Sequence, residues 1–175
     1  VSAAKLKVGI MRRKLTDPNL LESIRQTEEL LGEAITASRT LATELSPPVL
    51  HDAGLGAGLE WLARRMERDH DLAIIVEIDS DCEPDNDQIR VILFECAREL
   101  LFNVVKHAGV HKATLKLSSP HDGLIHLSVS DEGVGFDPQS IELSRKPDGS
   151  FGLFSIRERL SLIGGLARVR SAPGE

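Results

Sequence analysis

Leu20, Ile24, Thr27, Leu31, Ala34, Ser38, Leu41 and Leu45 follow one another at alternating spacings of four and three. That is the a/d seam of a helix packed in a bundle or coiled coil. Asp17 before Pro18 marks its start, because the Asp side chain accepts from free amides and proline suits the first helical position. Ser46-Pro47-Pro48 stops it, since proline removes a donor and restricts the residue before it. Ala3, Leu6 and Ile10 predict an earlier helix that turns at residues 14–16. Two antiparallel helices joined by a short turn cannot bury the seam from both sides, so a dimeric four-helix bundle is expected.

From Leu50 the pattern becomes mixed. A helix is predicted over 55–68 with Leu59, Leu62 and Met66 inward and Trp61 near an edge, then a strand rich in β-branched residues over 72–78. The acidic loop 79–87 alternates its acids like a calcium loop but lacks the central Gly and closing Glu of an EF-hand. It reads instead as a solvated loop capping the next helix, which runs over 88–107 to a cap at Gly109. Strands follow at 113–117 and 124–130, then a helix over 153–163 and a last strand near 167–170. The change of pattern divides the chain into a helical hairpin at 1–47 and an α/β sandwich at 48–175, an α+β architecture overall.

Composition narrows the classes. With 21 Lys+Arg against 27 Asp+Glu in 175 residues, the net charge is −6. An acidic surface argues against nucleic acid or an anionic membrane as partner, because both need clustered positive charge. No apolar run approaches the ~20 residues that cross a bilayer, and no signal peptide opens the chain. The two cysteines, Cys82 and Cys96, have no metal-ligand or redox spacing, so a reducing, cytoplasmic setting is expected. The chain starts at Val1 without Met and is expected to be a piece of a larger protein.

Three features carry chemistry. On the helix over 88–107, Leu93, Ala97, Leu101, Val104 and Ala108 share a core face, while Glu99, Asn103, Lys106 and His107 recur on roughly the opposite side. That stripe is either a solvated face or an acid, an amide and two cations gathered for an anion and a metal. An Asn carbonyl is a hard oxygen suited to Mg²⁺, and Glu99 is placed to position or deprotonate a nucleophile. Second, Ile125, Leu127 and Val129 alternate, which puts Asp131 on the inward face, where an unpartnered carboxylate costs several kcal/mol. The loop Asp131-Glu132-Gly133-Val134-Gly135-Phe136 follows; it reads as a self-capped turn or as a close approach to a ligand. Neither a Rossmann fingerprint nor a Walker A loop is present. Third, Gly149-Ser150-Phe151-Gly152-Leu153 enters the next helix, where its amides suit phosphate. Before it, the polar stretch 137–148 is long enough to act as a mobile cover.

In this order the motifs resemble the catalytic and ATP-binding domain of bacterial sensor histidine kinases, a branch of the Bergerat-fold ATPases that also includes gyrase, heat-shock chaperone ATPases and mismatch-repair proteins. Glu99 to His107 is similar to the N box, Asp131 to Phe136 to the G1 box, and Gly149 to Leu153 to the G2 box. Ser155-Ile-Arg-Glu-Arg-Leu160, Gly164-Gly165 and the junction Leu45-Ser-Pro-Pro-Val-Leu50 resemble the subfamily that pairs with nitrate-regulator-type response regulators. The resemblance implies ATP and Mg²⁺ as cofactors. Asn103 would bind the metal, and Lys106 and His107 would face phosphate or ribose. Asp131 would accept from the adenine amino group, with Gly133 and Gly135 shaping the adenine pocket. Gly149, Ser150, Phe151, Gly152 and Leu153 would form the phosphate lid, and Glu99 would assist phosphoryl transfer. It further implies homodimerisation through the N-terminal helices and a response-regulator receiver domain as partner.

Two departures accompany the resemblance. The family's phosphoaccepting histidine lies in the first bundle helix, yet none of the six histidines fits. His51 precedes Asp52 but follows the Pro-Pro junction, and His107 with His111 lacks further zinc ligands. The acceptor is therefore expected upstream of Val1. The family also continues through a Gly-Thr into a final strand, so the sheet is expected to lack an edge strand. Two other readings of the same fold are a non-catalytic phosphotransfer or binding module and an anti-sigma-type serine kinase. The retained Asn103, Asp131 and glycine motifs count against the first, and the N-terminal helices against the second.

Overall fold

The computed structural model describes residues 2–12, 16–45, 47–79, 82–121, 123–137 and 151–174. It divides into two compact units, Val1–Pro47 and Pro48–Glu175.

In the first unit, α1 (Ser2–Arg12) packs on α2 (Pro18–Leu45). The Asp17 carboxylate accepts from the amides of Asn19 at 2.8 Å and Leu20 at 3.4 Å, which satisfies free donors at the helix start. Arg12 Nη1 reaches Glu28 Oε2 at 3.1 Å. The residues half-buried within the unit are Leu21, Ile24, Glu28, Leu31, Gly32 and Ile35 on α2, with Val8 and Gly9 on α1. Of the expected seam, Ile24 and Leu31 lie in this row, and the side chains of Ser38, Leu41 and Leu45 lie outside the described residues. Leu20, Thr27 and Ala34 are exposed, as are Ala3, Leu6 and Ile10. One short helix covers only one row of a 28-residue helix, so the neighbouring apolar row is left open. The residues of the expected turn at 14 and 15 lie outside the described residues.

The second unit begins with α3 (Pro48–Asp52) and α4 (Gly54–His70). Strand β1 (Ala73–Ile78) pairs in parallel with β2 (Lys112–His121), which pairs antiparallel with β3 (Leu124–Asp131), in the order β1-β2-β3. Helices α4 and α5 (Asp87–Asn103) cover one face. Alternation explains which face: Ala113, Leu115 and Leu117 point under the helices and are buried, while Lys112 and Lys116 are exposed. On that outer face Lys116 pairs with its cross-strand neighbour Glu77 at 3.1 Å. Leu55, Leu59, Leu62 and Met66 of α4 meet Phe94, Ala97 and Leu101 of α5 in the core. Trp61 lies at its edge, 6.5 Å from Phe94 between ring centroids, with the Arg65 guanidinium 5.5 Å from its ring.

Asn86 caps α5, its carbonyl accepting from Gln88 N at 2.7 Å. The acidic loop also serves a second helix. Both carboxylate oxygens of Glu83 accept from Leu55 N, at 2.8 and 3.0 Å, at the start of α4, and Arg90 Nε holds the same carboxylate at 2.6 Å.

Two expectations need correction. The helix expected over 88–107 is α-helical only to Asn103; Val104–Ala108 forms a π-helical turn that ends at Gly109 in the left-handed region, φ 69°. The strand expected near 167–170 is not formed. Residues 166–171 alternate exposed and half-buried, as a strand would, but build no ladder. Nearby, Phe136 N donates to Ser171 Oγ at 3.0 Å and Gly174 N to Val134 O at 2.8 Å. Alternation reports a half-covered extended segment, not a partner edge. The last helix, α6 (Phe151–Ser161), packs on α5.

Candidate nucleotide site

The site candidates gather where α5 ends. Glu99 and Asn103, one turn apart, are both half-buried. Gly152, at the start of α6, lies against them. A Cβ added there would collide with Glu99 Oε1 and stand 3.3 Å from Glu99 Cδ and 3.4 Å from Asn103 Nδ2. A side chain at this position would have to push the Glu99 carboxylate aside. The contact also sets a carboxylate beside the first turn of a helix, where unpaired amides favour negative charge.

The second glycine motif closes on the same end of α5. Ala108 O accepts from Val134 N at 3.0 Å. A Cβ on Gly133 would fall 2.5 Å from that carbonyl and 2.6 Å from Ala108 Cβ, so backbone packs on backbone without room for a side chain. Asp131 Oδ1 accepts from Gly133 N at 3.0 Å, the self-capped turn weighed from the sequence. Asp131 is exposed, whereas Ile125, Leu127 and Val129 on the same face are half-buried. The period-two face continues to position 131, but the helical cover ends at Ala108.

Lys106 and His107 are exposed in the π turn. The wider turn sets the Lys106 ammonium 5.9 Å from the Phe102 ring, which His70 meets edge-on at 5.1 Å. The structure thus brings Glu99, Asn103 and Gly152 into contact and seats Asp131 and Gly133 at Ala108, while Lys106 stacks on Phe102. Gly135 is half-buried in the following loop, at φ 60°, and Leu153 is half-buried in α6. Phe151 opens α6, and Gly149, Ser150 and the expected mobile cover beyond residue 137 lie outside the described residues.

One further group stands beside the stripe of α5 read from the sequence. Cys96, 2% exposed, sits on α5 one turn before Glu99, and burial pushes its thiol up to about 11. Its position on the core side of α5 was the only signal available. Among the described residues, no group of three or more His, Cys, Asp or Glu is placed to hold a metal, and no helix is long and apolar enough to cross a membrane.

Residues 88–175 match the family described as histidine kinase-, DNA gyrase B-, and HSP90-like ATPase; the chain belongs to that family. Within it, the chain is 31% identical over 168 residues to an "uncharacterized sensor-like histidine kinase" of Chloroflexus aurantiacus, covering 93% of this chain and 28% of that protein. It is 33% identical over 162 residues to the sensor histidine kinase LiaS of Bacillus subtilis, covering 93% and 43%. The chain thus spans less than half the length of these relatives. Two solved structures share the fold. The histidine kinase domain of the Erythrobacter litoralis blue-light activated histidine kinase has a TM-score of 0.57 at 17% identity, with 99% of this chain and 88% of that one covered. The Acinetobacter baumannii histidine kinase AdeS has a TM-score of 0.54 at 16%, with 98% and 87% covered.

Proposed function

We propose that this chain is the ATP-binding core of a sensor histidine kinase in a two-component system. The observation that carries this reading is the packing of Gly152 on Glu99 and Asn103, which joins the second Gly-rich motif to the acid–amide pair of α5. In the reading, Asp131 accepts from the adenine amino group with its carboxylate pre-set by the Gly133 amide. Gly133 and Gly135 shape the base pocket. Lys106 and His107 offset phosphate charge, and the residues from Gly149 to Leu153 close over the phosphates.

Mg²⁺ fits this donor set. Asn103 and Glu99, one turn apart and half-buried, offer hard oxygens, and a cation held by one or two protein oxygens and completed by phosphate and water is the suitable kind. Asn103 would supply the protein oxygen, and the bound ion would neutralise charge on the phosphates. Glu99, half-buried beside Gly152, orients the nucleophile and accepts its proton.

Transfer of the γ-phosphoryl to a histidine of a dimerisation helix, and onward to an aspartate of a response regulator of the nitrate-regulator type, completes the proposal. Homodimerisation through α1 and α2 is part of it, as is a cytoplasmic location. The sensor histidine kinase names of the relatives support this assignment over a serine kinase.

Calorimetric titration with a non-hydrolysable ATP analogue, with and without Mg²⁺, tests it. Saturable binding by the wild type is expected, with Mg²⁺ dependence lost in Asn103→Asp and adenine selectivity weakened in Asp131→Asn. Wild-type behaviour in both variants removes these roles; no binding by the wild type leaves the non-catalytic module.

A further inference from the structure

Helix α6 meets α5 at two fixed points. At its start, Gly152 abuts Glu99 and Asn103 without space for a Cβ. Seven residues on, Arg159 Nη1 lies 3.0 Å from Glu95 Oε2. Residues 95, 99 and 103 form one stripe on α5, and 152 and 159 stand two turns apart on α6. The helices therefore run antiparallel, with their contact points about 10 Å apart. Between the points, Ile156 is buried, 3% exposed. An apolar side chain tolerates sliding and rotation, whereas a guanidinium–carboxylate pair is directional. The pair is partly screened from water, its side chains 38% and 24% exposed, so more of its attraction survives than at an open surface.

We propose that Arg159 and Glu95 are a positioning pair for nucleotide binding. Their ion pair fixes the register of α6 on α5 and so holds Gly152 against Glu99 and Asn103. Neither residue touches the candidate site; they act through the helix. A rotation of α6 of a few tens of degrees either drives the Gly152 backbone into Glu99 or opens a gap between them, and in both cases Gly152 no longer seats against Glu99 and Asn103. The proposal rests on the ATP-binding reading above.

The test is a charge exchange in the whole chain. Glu95→Arg and Arg159→Glu are each expected to weaken binding of a non-hydrolysable ATP analogue by roughly fivefold, the scale of about 1 kcal/mol, and to move the Asn103 side-chain amide resonances. Their thermal midpoints should stay near that of the wild type. The double exchange is expected to restore both affinity and resonances. Glu95→Gln keeps the shape and removes the charge; it should give a smaller change of the same sign, and it covers the case in which a reversed charge prevents folding. Unmoved resonances and wild-type affinity in Glu95→Gln overturn the proposal, as does a folded double exchange that recovers neither. If the wild type binds no analogue, the ATP-binding reading fails instead, and the Asn103 resonances alone decide the pairing.

Discussion

At the scale of single residues, two groups on or against α5 make sharp predictions. Gly152→Ala places a methyl group on Glu99 Oε1, so the Glu99 carboxylate, the end of a flexible side chain, must swing away from Asn103; nucleotide affinity should fall by less than about tenfold, with little change in helix content by circular dichroism. Cys96 makes a pH prediction. Its thiol is raised from 9.0 to about 11, by burial first, so the folded state keeps the proton that the unfolded state gives up. The stabilisation is complete below the unfolded value near 9 and is lost as pH rises from there to about 11, at about 1.4 kcal/mol per unit. Urea melts at pH 8 and pH 10.5 should converge for Cys96→Ala more than for the wild type. In a Cys82→Ser background the native thiol should resist a disulfide reagent at pH 8 and react once unfolded. As for what was legible, the four-residue spacing of Glu99 and Asn103 made their shared face visible in the sequence. The glycine motif at 149–153 was visible too, but the contact of Gly152 with them was not, because contact between distant segments leaves no local period. The exposure of Asp131 was also hidden, since strand alternation shows a face and not where its cover stops.

Among the elements, Glu83 is the most instructive, because one carboxylate serves the start of α4 and the Arg90 side chain together. Glu83→Ala should cost about 1–2 kcal/mol, the scale of a lost helix cap, with little added for the ion pair because Arg90 keeps Asp87 as a partner. A urea midpoint unchanged from wild type would contradict that. Most elements were legible: Asp17-Pro18 marks the start of α2, and the β-branched run marks β1. Two were misread for identifiable reasons. Helical periodicity does not distinguish an α turn from a π turn over five residues, and such turns recur at functional sites. The segment 166–171 carries a strand's alternation without a strand's ladder, which is a matter of long-range pairing.

At the scale of the molecule, the open row on α2 bears on assembly. Leu20 is 49% exposed while Leu31 is half-buried within its own unit. If the dimer forms through that row, Leu20→Glu should lower the sedimentation mass toward the monomer and leave the helices intact. Leu31→Glu should additionally reduce helicity. A Leu20→Glu chain with wild-type mass would exclude this face.

Trp61, set between Phe94 and Arg65, has an optical consequence. The chain has one tryptophan and no tyrosine, and residues 1–47 contain no aromatic side chain at all. Indole emission during a denaturant titration therefore follows the ATPase unit alone, while far-ultraviolet ellipticity sums both units. The difference between the two curves isolates the melting of the α1–α2 pair without cutting the polypeptide or attaching a dye.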